Sequence, residues 1–329
     1  MSEIASAVEA LRRSIKIFDN QVLAASPSPL LKPNSKLLRK LRPGPGSLGD
    51  GAARAEAGTA LIGALVDLYP KLRRIGKPRF FLVTFCYDQG MLELDAKSIP
   101  QLEPMKHKIY KAVASIGLDA IGVMEVAPFR KSELHDEMLF VHGHVVGWTF
   151  DPTFKPNKVA SALMKGPAFP NSLGLPSVTI RSRRKAANVF RGDEAAAERL
   201  FSNLEEDQTD ASLAWLGYYL FQAPSYAQHA YPDKKRSRKI KLRKSKNQSH
   251  SLAIASRRLL NTIPIGEAIF GIGKGRLVRL DWKGRYLQAM KGHERTQQAS
   301  KAETRRRRKA KKLVIKKRQA KLTKRMVRP

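Results

Sequence analysis

One cysteine in 329 residues, Cys86, excludes an intramolecular disulfide and any thiolate-built zinc cluster, and it fits a reducing compartment. Acidic side chains are scarce beside basic ones: 28 Asp and Glu stand against 62 Lys and Arg, for a net charge of +34. Solubility needs far less, and the partner that such a field attracts most strongly is a polyanion, with nucleic acid first. Long apolar runs are missing. Segments such as "TALIGALV" fall well short of the roughly 20 residues of a membrane-spanning helix. The N-terminal "MSEIASAVEALRRSIKIF" has neither the apolar region nor the cleavage site of a signal peptide, so a cytoplasmic protein with no membrane partner is expected. No internal repeat, helicase motif or ATPase motif is visible. "GIGKGR" around Gly273 lacks the spacing of a phosphate-binding loop and reads as a turn.

What is present is a foldable chain with a 42% hydrophobic fraction. Ile4, Val8, Leu11 and Ile15 recur at helical spacing, and the Pro-, Gly- and Ser-rich stretch that follows resists regular structure, so residues 1–50 read as a helix and a linker. Residues 51–233 read as the main domain. Residues 234–250 form a basic connector, 251–290 a small accessory segment, and 291–329 a basic, disordered tail.

Inside the main domain a helix starting near Ala52 is followed by the strand "PRFFLVTFCYD" and a helix carrying Leu102, Met105, Ile109, Val113 and Ile116 on one stripe. The strands "DAIGVMEVAPF" and "EMLFVHGHVVGWTF" are joined by "RKSELHD", short enough for a hairpin. A helix around "NKVASALMKG", a strand at "PSVTIRSR" and the helix "DASLAWLGYYLF" complete a β-α-β-β-α-β-α order. That order predicts an α+β fold: a ferredoxin-like split βαβ antiparallel sheet with its helices on one face.

Strand alternation puts His142 and His144 on the same face as Phe140 and Val146, with Val141, Gly143 and Val145 on the other. A hairpin closing near Ser132 and Glu133 sets Glu125 opposite His142. Two nitrogens and one carboxylate oxygen would make an open site for a divalent cation. The alternative is a pair of partly exposed polar residues on a sheet. Leu213, Leu216 and Leu220 form the packed stripe of the last helix, with Trp215, Tyr219 and Gln222 on its shoulder and Tyr218 nearly opposite.

A "FFLVTF" strand, a Glu-bearing strand, a His-x-His strand and a tyrosine helix together resemble the HUH endonucleases, above all the rolling-circle replication initiators of plasmids and phages. The resemblance covers about Pro78 to Asp233. It implies the HUH nuclease fold, and Mg²⁺ or Mn²⁺ held by His142, His144 and Glu125. It also implies a tyrosine nucleophile, Tyr219 with Tyr218 as second choice, that nicks and rejoins single-stranded origin DNA through a 5′-phosphotyrosine and a free 3′-hydroxyl. Two departures from the family are plain. Gly143 stands where a bulky hydrophobe is usual, and Gln222 replaces the lysine of the Tyr-x-x-Lys motif. The expected partners are origin DNA, a host helicase and a polymerase.

Two rivals remain open. One is a non-catalytic nucleic-acid-binding protein on the same split sheet, in which Phe140, His142, His144 and Trp148 stack on bases. The other is a mobilisation relaxase or transposase with the same chemistry. His135 and Asp136 fall in the hairpin turn and read as solvated, with a carboxylate there able to reach the metal, and His229 and Tyr231 read either as lining the mouth of the site or as loop residues. The hairpin Arg130 to Glu137, the stretch Arg181 to Lys185 and the segment after Ser251 are candidates for reading an origin sequence.

Overall fold

The computed structural model describes residues 3–25, 46–96, 101–131, 136–172, 176–182, 209–224, 227–233, 236–245 and 249–293, with residues 295 and 303. The chain divides into a unit Met1–Lys283 and a unit Gly284–Pro329. In the second unit the described residues 284–293 are helical.

The first unit is α+β. Its strands are β1 (Arg79–Phe85), β2 (Met91–Glu93), β3 (Asp119–Lys131), β4 (Asp136–Thr149), β5 (Val178–Ser182), β6 (Ala227–Asp233), β7 (Arg236–Ser245) and β8 (Ile269–Ile272). Its named helices are α1 (Glu3–Ala25), α2 (Gly51–Arg73), α3 (Leu102–Ser115), α4 (Pro156–Lys165), α5 (Thr209–Phe221), α6 (His250–Leu260) and α7 (Ile265–Ala268). All eight strands join one sheet in the order β5-β1-β4-β3-β6-β7, with β2 beside β4 and β8 beside β3. Every pairing is antiparallel except β3 with β6. Strands β1, β3, β4 and β5 lie in the order β5-β1-β4-β3, an arrangement compatible with the split βαβ pattern.

Both faces of the sheet are covered, which corrects the expectation of helices on one face. Gly143 and His144 are neighbours on β4, so they point to opposite sides. A Cβ at Gly143 would meet Ile109 Cδ1 of α3 at 2.5 Å, so α3 lies tight on that side. Phe154 and Phe169, which flank α4, pack there too, against Phe81 and Phe85. His144 on the other side meets α5 through Tyr219. The crossover helix α3 and the flanks of α4 therefore share one face, as a split βαβ unit requires, and a second helical layer covers the face left open in the sequence-based expectation.

That second layer is built by close approach. A Cβ at Gly217 of α5 would lie 3.1 Å from the Ile62 backbone of α2, and one at Gly58 of α2 would lie 3.0 Å from Phe221 Cβ. Larger residues at these crossings would push the helices apart. The α1 stripe of Leu11, Ile15, Phe18 and Val22 is buried, and Ser14 Oγ accepts a hydrogen bond from Ala223 N just past α5. The N-terminal helix is thus part of the main unit and not a separate segment. The chain also departs from expectation at its basic connector, because 236–245 forms strand β7 of the sheet, and at the accessory segment, because β8 pairs with β3. A run dense in Lys and Arg reads as solvated, but an edge strand needs hydrogen bonds on one side only, so it tolerates charge. Among the described residues, no helix is long and apolar enough to cross a membrane.

Candidate metal centre

Register builds the site. Glu125 on β3 stands opposite His142 on β4, and Thr84 on β1 stands opposite His144, so two adjacent rows across three strands carry four polar side chains on a single face. The predicted hairpin pairing of Glu125 with His142 is therefore observed; the turn that closes it, residues 132–135, lies outside the described residues. Glu125, His142 and His144 are 7%, 4% and 5% exposed. They are not the exposed polar pair of the alternative reading, since the α2–α5 layer covers them. One ligand atom from each lies within 4.8 Å of the others.

The hydrogen bonds around the imidazoles decide which nitrogens are available. His142 Nδ1 lies 3.1 Å from the Phe140 carbonyl, an acceptor only, so Nδ1 carries the proton and Nε2 keeps its lone pair. His144 Nδ1 meets the Thr84 hydroxyl at 3.0 Å. The two Nε2 atoms face each other at 2.7 Å, and His144 Nε2 is 3.9 Å from Glu125 Oε2. Two ring nitrogens at that separation share a proton or a cation between them. Burial holds His142 down at about 4, against the opposing hydrogen bond to Phe140, so its imidazole is neutral near pH 7. The donor set fits a divalent cation: two imidazoles, each oriented through its outer nitrogen, with a carboxylate oxygen beside them.

The other carboxylate oxygen is already taken. Arg54 of α2 donates from Nη2 to Glu125 Oε1 at 2.9 Å, and both side chains are buried. The same guanidinium donates to the carbonyls of Phe221 at 2.9 Å, Gln222 at 2.6 Å and Leu48 at 3.3 Å. Burial pushes the Glu125 carboxyl upward and the nearby Arg54 charge pulls it back. Cationic Arg54 also caps the negative end of the α5 dipole.

Tyr219 of α5 reaches the cluster, with its ring centroid 4.7 Å from that of His144 and the planes at 72°. It is half-buried, as is Thr84, whereas Glu125, His142 and His144 are buried. Burial raises its hydroxyl; the Arg181 charge opposes this and the Glu125 charge adds to it. Tyr218 is elsewhere, buried edge-on against Trp215 at 5.3 Å, and not on an exposed side of the helix. Gln222 lies just past the end of α5, so the lysine position of the family motif is not on a helical turn here. Gly143 needs no bulky side chain, because Ile109 fills that space.

Phe140, His142, His144 and Trp148 are all buried, so these four rings do not form an exposed stacking surface. Backbone pairing sets His229 of β6 against Arg130. Tyr231 is also on β6, Asp136 begins β4, and His135 lies outside the described residues. Glu137 is bound by Arg130 and accepts from Ser249 at 2.7 Å and Ser251 at 3.0 Å, so this part of the hairpin is tied to the start of α6. The turn at Gly273 is held by Lys274 N donating to Asp119 at 2.9 Å, which makes it structural. Cys86 is half-buried beside Phe129 and Phe140, its thiol pushed up to about 12 by burial. Arg54 and Thr84 were not legible as site residues: each sits in an ordinary apolar segment, and only the three-dimensional register brings it in.

No protein-family model matches this chain, and no curated protein or solved structure matches it significantly.

Proposed function

We propose that the protein is a metal-dependent strand-transfer nuclease of HUH type, acting on single-stranded DNA as a replication initiator does, with Tyr219 as nucleophile. One observation carries this: the Tyr219 ring rests against His144, itself part of a buried Glu125–His142–His144 donor set. A catalytic tyrosine and a cation site in contact suit an attack on phosphorus. The split-sheet strand order is compatible with the HUH fold, and the +34 charge suits a polyanionic substrate.

His142 Nε2, His144 Nε2 and Glu125 Oε2 would hold Mg²⁺ or Mn²⁺. When bound, the ion supplies charge neutralisation at a non-bridging phosphate oxygen. Thr84 and the Phe140 carbonyl keep the imidazoles oriented, and Arg54 fixes the far oxygen of Glu125 so that the near one faces the histidines. In the forward step Tyr219 Oη forms a bond to phosphorus as the P–O3′ bond breaks. The phenolic proton leaves, and the departing 3′-oxygen takes one up. The number of phosphoester bonds is unchanged, so the phosphotyrosine keeps the energy needed for religation by a 3′-hydroxyl. A host helicase and polymerase would act on the strand so released.

The test is incubation of the full chain with an end-labelled single-stranded DNA pool that includes the cognate replicon's origin, with Mn²⁺ or with EDTA, followed by a denaturing gel. A covalent protein–DNA adduct that requires Mn²⁺ is expected. If no adduct forms while salt-sensitive binding persists, the protein binds nucleic acid without cutting it.

A further inference from the structure

We propose that Arg181 grips the scissile phosphate beside Tyr219, taking the place of the lysine that Gln222 does not supply; this rests on the strand-transfer function proposed above.

Position comes first. On β5, Thr179 stands opposite Thr84 of β1, and Thr84 stands opposite His144 of β4, so Thr179, Thr84 and His144 form one row on the site face. Arg181 stands opposite Leu82, two residues along β5 from Thr179. Side chains at i and i+2 share a face and are about 7 Å apart. Arg181 is therefore on the same face as the histidines, one row away, within reach of an arginine side chain over the tyrosine. It is partly exposed, unlike the histidines and Glu125, so its head can meet a ligand entering from solvent.

Availability comes second. Arg54, the other arginine at the cluster, is bound to Glu125 and to three carbonyl groups, and its side chain is 3% exposed. Four of its five N–H groups are engaged, and its burial keeps the fifth from a substrate. Among the described residues no carboxylate forms an ion pair with Arg181.

Chemistry comes third. A phosphoryl group under attack gathers charge on its non-bridging oxygens, and a planar guanidinium can donate to two of them in parallel, as an ammonium cannot. Arg181 would hold the phosphodiester before attack and the phosphotyrosine after it, on the side away from the cation site.

The experiment measures the single-turnover rate of adduct formation with Mn²⁺ and the salt dependence of DNA binding, for wild type, Arg181→Gln and Arg181→Lys as full chains. Arg181→Gln is expected to slow the adduct step by about 100-fold. It should also reduce the slope of log affinity against log salt by about 1. Arg181→Lys should keep the slope but lose part of the rate, since the fork is gone. An Arg181→Gln rate equal to wild type overturns the proposal. Should that variant fail to melt cooperatively, Arg181→Lys decides, and a wild-type rate there overturns it as well. A wild type that forms no adduct overturns the strand-transfer function itself, an outcome distinct from either.

Discussion

Arg54 donates through Nη2 to both Glu125 and the Gln222 carbonyl and through Nε to the Phe221 carbonyl, so a single guanidinium ties a candidate metal ligand to the C-terminal end of the helix that carries Tyr219. Such a pair is costly to break from one side. Arg54→Gln leaves a buried carboxylate without its cation and should cost about 3–5 kcal/mol. Replacing both partners, Arg54→Met with Glu125→Met, should recover much of that loss while Mn²⁺ binding stays absent. Urea unfolding and titration calorimetry read the two effects separately. A single variant as stable as wild type would show that the ion pair contributes nothing.

The two adjacent tyrosines should behave oppositely. Tyr219→Phe removes only an oxygen and should abolish the covalent adduct while leaving Mn²⁺ affinity within about twofold, because the hydroxyl is not among the donor atoms. Tyr218→Phe, packed on Trp215, should leave adduct formation intact. Adduct formation by Tyr219→Phe that is lost in Tyr218→Phe would reverse the assignment.

Mn²⁺ should raise the melting temperature of wild type and do so less, or not at all, in His142→Ala and His144→Ala, since a ligand stabilises only the state that binds it. Melting curves with and without EDTA give the answer. An equal upward shift in all three proteins would place the ion elsewhere.

Acid should act on the metal-free protein through His142. Burial lowers its pKa from the ordinary 6.5 to about 4. Between those values the unfolded chain binds the proton and the folded one does not, so stability is present above about 6.5 and is lost as pH falls through 4. The contribution is on the order of 3 kcal/mol. His142→Gln should flatten this limb of the stability–pH profile in EDTA. An unchanged limb would assign acid sensitivity to other groups.

Gly143→Val tests why the His-x-His strand of this chain has glycine at its centre. The new side chain would collide with Ile109 Cδ1 and should cost about 1–3 kcal/mol. Combining it with Ile109→Ala should return part of the loss, as measured by urea midpoints. No recovery in the double variant would mean that the strain lies in the backbone.

Much of the site was legible because it is local. Alternation along β4 put the two histidines on one face, and a short hairpin fixed Glu125 opposite His142, so pleat geometry sufficed. The helical stripe around Leu216 likewise placed Tyr219 on a flank able to reach the sheet. What could not be read depends on long-range packing. Arg54 lies 71 residues from Glu125 in sequence, in an alanine-rich helix that gives no hint of a partner. The covering layer was missed because α1 and α2 precede the β-α-β-β-α-β pattern and looked dispensable to it. Strand β7 was missed because its Lys and Arg content outweighed its two apolar positions, Ile240 and Leu242, in any reading by hydropathy.

Strand β7 closes one end of the sheet, since the order runs β5-β1-β4-β3-β6-β7. A bare strand edge is a template onto which another chain can add its own strand, the first step toward aggregates. With "RSRKIKLRKS" in that position, two copies of this protein meeting edge to edge would bring like charges together along the whole seam. Like charge along this edge thus disfavours the addition of a second copy and keeps an open sheet from growing.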